Sequence, residues 1–336
     1  MQDNSLRRPR RVSPLGLPLA LVSAAAFATS GVFGKALFQA GWTPAAAITA
    51  RIGVAALALG VPAALAMRGR WHLLRRNLRT VALYGMTGVT GCQLFYFLAV
   101  ERLSVGVALL LEYLSPVLLV LLSWVTTRRA PHPLTVGGTV AAMGGLALVL
   151  DVFGGVRLDP VGVAFGLAAA VCSAAYFLLA ARDHDDALPP LALTGFGMIA
   201  GLVPVVLVSA LQVLPFRWAA TQVPLAGANV SVLVPILGMG VLAAAFAYAT
   251  GVVSARHLGP RIASFVALSE VLFAVLFAWL FLGELPGPLQ LAGGVLILLG
   301  VILVRLGATE PAAADVHPGP EAESAIDAVR PASPAT

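Results

Sequence analysis

WVTTRRAPHPLTVGGTVAAMGGLALV (residues 124–149) and WLFLGELPGPLQLAGGVLILLGVILV (residues 279–304) carry one pattern twice. Set 155 residues apart, they bring Trp124 over Trp279 and Pro131 and Pro133 over Pro286 and Pro288. In the same register Leu134 meets Leu289, Gly138 meets Gly293 and Gly145 meets Gly300. In an apolar chain leucine meets leucine by composition alone. A tryptophan, two prolines and two glycines in one register point to a duplicated unit.

The residues around the repeat say what the unit is. Of 336 residues, 59% are hydrophobic and 11% charged, against roughly 45–50% and about 25% in soluble domains. So apolar a chain has no surface to show to water, and its natural partner is the lipid bilayer. A crossing helix needs about 20 mostly apolar residues. Such runs fall at 14–38, 44–66, 80–100, 105–127, 134–150, 160–181, 191–212, 231–254, 261–282 and 287–304. The start, MQDNSLRRPRRVSPLGLPLALVSAAAFA, is built like a signal peptide, but its apolar run continues to Phe38, which predicts an uncleaved first helix. The expected fold class is therefore all-α, a polytopic membrane protein with ten transmembrane helices.

Each repeat period holds five spans. An odd number sends the second copy into the bilayer upside down, so the expectation is two inverted five-helix repeats. The boundaries are 1–13 for a basic cytoplasmic N-terminus, 14–150 and 160–305 for the repeats, and 308–336 for a tail. That tail is rich in Ala, Pro and acidic residues, too polar to bury a core, and is expected to be disordered. With the N-terminus inside, sixteen arginines flank the spans on the cytoplasmic side, and three (Arg102, Arg157 and Arg217) lie outside. The bias predicts that both termini are cytoplasmic, in the cell membrane. It also accounts for the net charge of +6 without a nucleic-acid partner. Inverted repeats build many secondary transporters, with the site near the midplane between the halves.

The second copy, ALSEVLFAVLFAWLFLGELPGPLQLAGGVLILLGVILV (267–304), resembles the EamA family of the drug/metabolite transporter superfamily. The likeness rests on Glu270, Trp279, Gly283, Glu284, Gln290, Gly293 and Gly300, and in the first half on Arg51 and SPVLLVLLSW (115–124). Val271 stands where the family often has proline, and Arg129 replaces a glutamate, so the halves are not equivalent. The resemblance implies a secondary transporter, an exporter of small polar metabolites or drug-like solutes.

Ionisable groups inside a span cost roughly 2.5–3.5 kcal/mol each, and four are present: Lys35, Arg51, Glu112 and Glu270. Lys35 lies near the outer end of its span, where it can snorkel to the interface. Arg51, Gln93 and Glu112 each lie about seven residues from the outer end of theirs, roughly 10 Å deep. Depth makes an Arg51–Glu112 pair geometrically feasible, with Gln93 beside it. Pro116 has no N–H for the carbonyl of Glu112, so the helix is expected to kink there and leave a polar site facing a cavity. Tyr113 and Ser115 can add hydrogen bonds; the bland alternative is a structural ion pair. Glu270, near the midplane, has no basic partner in its own half. That suits a proton-coupling site, although a neutral acid bonded to a neighbouring helix fits equally. Tyr248 aligns with Gln93 across the repeat, so both are candidate cavity residues; Tyr96 and Tyr176 are divided between pocket and packing. The candidate solute-binding set is Arg51, Gln93, Glu112, Tyr113, Tyr248 and Glu270, with a small-molecule solute as partner and a homodimer left open.

GMTGVTG (85–91) sits inside a span with no preceding strand, so it is read as helix contact and not as a phosphate loop. RDHDD (182–186) reads as a solvated loop. Cys92 and Cys172 lie in apolar runs without metal spacing, and no metal or cofactor is expected. Zincin, nucleophile-elbow and Walker patterns are absent from the sequence. The competing reading is a membrane-embedded enzyme acting on a lipid-borne substrate. Such an enzyme would cluster its acids and bases at one interface, whereas these charges are deep and shared between the halves.

Overall fold

The computed structural model describes residues 15–100, 102–103, 105–149, 159–182, 186–218, 222–225, 228–282 and 287–309. The basic N-terminus, almost all of the tail and most of RDHDD lie outside the described residues. So does the side chain of Lys35.

The chain is nearly all helical. Helices α1 (Gly16–Gln39) and α2 (Pro44–Ala66) are followed by the short α3 (Trp71–Arg76) and α4 (Leu78–Leu83). A π-helical turn, Tyr84–Gly91, leads into α5 (Cys92–Val100). Next come α6 (Val105–Glu112), α7 (Ser115–Thr127), α8 (Pro133–Val149), α9 (Pro160–Ala180) and α10 (Pro190–Ala210). A hairpin of β1 (Gln222–Leu225) and β2 (Ala228–Ser231) precedes α11 (Leu233–Leu237). A second π-turn, Gly238–Phe246, opens α12 (Ala247–Ala267), before α13 (Ser269–Leu282) and α14 (Pro288–Thr309). Several helices open on proline, whose missing N–H costs nothing in the first turn. Asp159 caps α9: its Oδ1 accepts from the N–H of Val161 at 2.8 Å and of Gly162 at 3.1 Å. These bonds, the Gly162 N–H foremost, hold its carboxyl below the usual carboxylate range.

Among the described residues, eight helical runs are long and apolar enough to cross a membrane. Pro133–Val149 is apolar but shorter. The longest run, Leu233–Ala267, is broken at Gly259, whose φ of 78° and ψ of 164° suit glycine alone. The hairpin departs from an all-α fold. It lies in the connection after α10, pairs Val223 with Val230, and buries Val223 completely against α1.

Two local departures from α-helix recur 155 residues apart. The π-turns Tyr84–Gly91 and Gly238–Phe246 occupy matching positions. The break between α6 and α7 at Tyr113–Leu114 answers the break between α12 and α13 at Leu268. The first of these is the kink expected at Pro116. The glycines of the repeat meet crosswise: a Cβ on Gly138 would lie 2.7 Å from the carbonyl of Gly300, and one on Gly145 2.5 Å from that of Gly293. Helices α8 and α14 thus run antiparallel with their backbones in contact.

Candidate functional site

A cavity of about 690 Å³ lies between the helices, a volume typical of small-molecule sites. All six expected side chains are on its wall: Arg51 from α2, Gln93 from α5, Glu112 from α6, Tyr113 from the break, Tyr248 from α12 and Glu270 from α13. It extends to Phe38, Val149 and Gln290 at one end of the bundle. The opposite end is sealed. Ser254 Oγ donates to the carbonyl of Gly16 at 3.1 Å, Gly16 packs on Leu258, and Arg261 donates to Ser123.

The expected Arg51–Glu112 contact pair does not form. Instead Arg51 donates an Nη hydrogen to the carbonyl of Ala243, inside the second π-turn, at 2.8 Å. Its guanidinium carbon lies 5.9 Å from the centre of the Phe27 ring, a cation–π distance. Its buried Nε has no acceptor. Glu112 instead accepts from the thiol of Cys92 at 3.2 Å. Tyr113 and Glu270 both face the cavity. The Arg51 charge attracts both carboxylates, and the two carboxylates repel one another. The ion pairs among the described residues, Arg76–Asp186 and Arg102–Asp159, are at the surface. Among the described residues the cavity therefore holds one cation and two acids, none in contact ion pairing.

Gln93 donates to the carbonyl of Val89 at 3.1 Å, and Tyr248 to that of Gly88 at 3.1 Å. Both acceptors belong to the first π-turn. Ser173 donates to Ser115 at 3.0 Å, tying α9 to the break above Pro116. Tyr248 stacks edge-on against Phe27 and Tyr176, with centroids 4.8 and 5.5 Å apart. Sequence reading missed Cys92 and Phe27. Cys92 lies next to Gln93 at the depth of Glu112, so the depth rule applied to Gln93 would have found it. No residue-type signal singled out Phe27. Among the described residues no cluster of His, Cys, Asp and Glu could hold a metal.

Lipid-length helices around a polar cavity, charged from both halves of the chain and sealed at one end, define a membrane transporter. The model of the EamA-like transporter family matches residues 14–151 and again 160–306; the chain belongs to that family. It is similar to the threonine/homoserine exporter RhtA of Escherichia coli (strain K12), 27% identical over 305 residues, covering 89% of this chain and 93% of that protein. It is also similar to a probable terminal-alkyne amino-acid exporter of Streptantibioticus cattleyicolor, 29% identical over 256 residues, 76% of this chain and 82% of that protein. A crystal structure 21% identical to it shares the fold, with a TM-score of 0.70 over 87% of this chain and 96% of that one. By family the chain is a multi-pass membrane transporter, and the reading as an enzyme on a lipid-borne substrate is not favoured.

Proposed function

We propose that the chain exports small zwitterionic solutes of the amino-acid type, by alternating access between two inverted five-helix repeats, 14–150 and 160–305. The observation that carries the solute class is the charge set of the cavity. Arg51 keeps an Nε without an acceptor, a place for a carboxylate, while Glu112 and Glu270 offer two seats for an ammonium group. Gln93, Tyr113 and Tyr248 supply hydrogen bonds around them, and the break before Pro116 keeps Glu112 on the cavity wall. The names of the amino-acid exporters among the relatives agree with this choice.

Ten spans follow if the run broken at Gly259 counts as two, with the rest of α12 joined to α13, and if the short α8 also crosses. A run of 35 residues would be about 50 Å long as one helix, well beyond a hydrocarbon core of about 30 Å. The inverted relation is supported by the π-turns and helix breaks recurring 155 residues apart, and by the crosswise glycines of α8 and α14. In an isologous contact residue i meets j while the counterpart of j meets that of i, which is the pattern of Gly138–Gly300 and Gly145–Gly293. The arginine bias supports cytoplasmic termini, and with them a cavity that opens outward. The chain is a monomer or a homodimer, which light scattering of the lipid-embedded protein decides.

Glu270 is the proposed proton-coupling group, because it lines the cavity and among the described residues makes no salt bridge. Proteoliposomes carrying wild type or Glu270→Gln would be given labelled threonine, homoserine and a mixed metabolite pool, with and without a pH gradient. Gradient-driven accumulation by wild type and its loss in the variant are expected. A variant that keeps the full pH dependence rules out Glu270 as the coupling group. Absence of movement of any zwitterion rules out the solute class.

A further inference from the structure

The two π-turns share more than position. Each exposes one carbonyl to a side-chain donor from elsewhere in the chain, and the carbonyls are equivalent. Gly88 accepts from Tyr248, and Ala243, 155 residues on, accepts from Arg51. π-turns leave backbone groups out of the regular ladder and recur at functional sites. Tyr248 is itself the counterpart of Gln93, and the two side chains lie beside each other, ending on the adjacent carbonyls of Gly88 and Val89. Residues related by a two-fold operation touch only on its axis. Gln93 and Tyr248 therefore mark the axis between the halves, beside the cavity.

Resting on the inverted-repeat reading above, we infer that Gln93 and Tyr248 are an exchanging pair of positioning residues. Each caps the π-turn of the opposite half in one of the two access states. In the present state Tyr248 holds Gly88. When the halves exchange conformations, the counterpart of that bond runs from the amide of Gln93 to the carbonyl of Ala243. To make it, Gln93 leaves Val89 and Arg51 leaves Ala243. Helix α10 answers α2, with Pro190 in the place of Pro44, so the counterpart of Arg51 falls at Gly197, which has no donor to put on Gly88. The exchange therefore turns the guanidinium loose while it removes Tyr248 from Gly88. A carboxylate that binds Arg51 takes over the donor held by Ala243 and thereby favours the exchange. Solute recognition and helix rearrangement thus share one guanidinium.

The two variants should act with opposite sign. Tyr248→Phe removes a bond of the present state alone, so it favours the state in which the Gly16–Leu258 end opens. Gln93→Met removes the bond to Ala243 in the exchanged state and the bond to Val89 in the present one. The first is the counterpart of a buried contact and the second is only part-buried, where water replaces it, so the variant on balance favours the state in which the Phe38–Gln290 end is open. One net hydrogen bond changes a population ratio roughly twofold to tenfold. The measurement is hydrogen–deuterium exchange of the full chain in nanodiscs, without solute, comparing peptides from the two ends. Expected is faster exchange at Gly16–Ala20 and 254–261 for Tyr248→Phe, with slower exchange at 34–39 and 288–292. Gln93→Met should give the reverse, and Tyr248→Gln, which still donates, should stay near wild type. If Tyr248→Phe does not fold, the Gln93→Met and Tyr248→Gln profiles decide alone. If the two ends move in opposition but both variants shift the same way, the pairing is overturned and the inverted reading stands. If the ends never move in opposition, the inverted reading fails and the pairing with it. Neither outcome depends on which solute is carried.

Discussion

Neighbouring glycines on α8 should respond oppositely to the same substitution. Gly145 is buried on the α14 side, and an alanine Cβ there would lie 2.5 Å from the carbonyl oxygen of Gly293 and 2.7 Å from the amide nitrogen of Ile297. Ordinary contact begins near 3.4 Å, so the helices must part by about 0.9 Å. Both obstacles are backbone and cannot swing aside. Overpacking costs about 1–3 kcal/mol, and a backbone clash belongs at the upper end. Replacing glycine inside a helix returns about 1 kcal/mol, which leaves a net loss of about 2 kcal/mol for Gly145→Ala. Gly144, one residue earlier, is exposed and has nothing within 4 Å of its virtual Cβ. Gly144→Ala should therefore gain up to about 1 kcal/mol. Thermal unfolding in mild detergent, followed by monodispersity on size-exclusion chromatography, reads the difference. The midpoint should fall for Gly145→Ala and hold or rise for Gly144→Ala. Equal behaviour of the two variants would refute the close seam between α8 and α14.

Gly259→Ala places a side chain at φ 78° and ψ 164°, in a region that costs on the order of 1–3 kcal/mol for other residues; its folded yield in the membrane should drop, measured by fluorescence-detected chromatography. Asp159, with its carboxyl held low, stabilises the fold above the ordinary carboxylate pKa, and that contribution disappears as pH falls through its folded value. Asp159→Asn should therefore flatten the acid side of a stability-against-pH curve and leave the neutral region with a smaller change. Arg51→Gln should raise the KM for an amino acid about tenfold to a hundredfold, the worth of a charged hydrogen bond. The matching amine without a carboxylate should be unaffected in a side-by-side transport assay.

Much of this was legible in the residues. Apolar run length marked the membrane helices, because the bilayer core sets how long they must be. The register of Gly138, Gly145, Gly293 and Gly300 marked the duplicated unit, but that these four glycines pack crosswise on one another is seen only in the fold. Pro116 announced the break beside Glu112 through its missing N–H. Counting residues from the span ends gave depth but not direction around the helix axis. Arg51, Gln93 and Glu112 were placed at one level, yet Arg51 turns to a carbonyl and Glu112 to Cys92. The π-turns left no mark in the sequence. A one-residue slip in a hydrogen-bond ladder needs no special side chain, and YGMTGVTG and GMGVLAAAF share little beyond small residues. The hairpin was hidden in a connection too short to show alternation.

The seam between α8 and α14 also has an entropic side. Gly138, Gly145, Gly293 and Gly300 have no rotamers to freeze when the helices meet. They likewise offer no interlocking side chains to disengage and repack when other helices tilt. A join of this kind asks nothing of its surroundings during a transport cycle. It can stand as a fixed post while the helices that carry Arg51, Tyr248 and Glu270 rearrange around the solute.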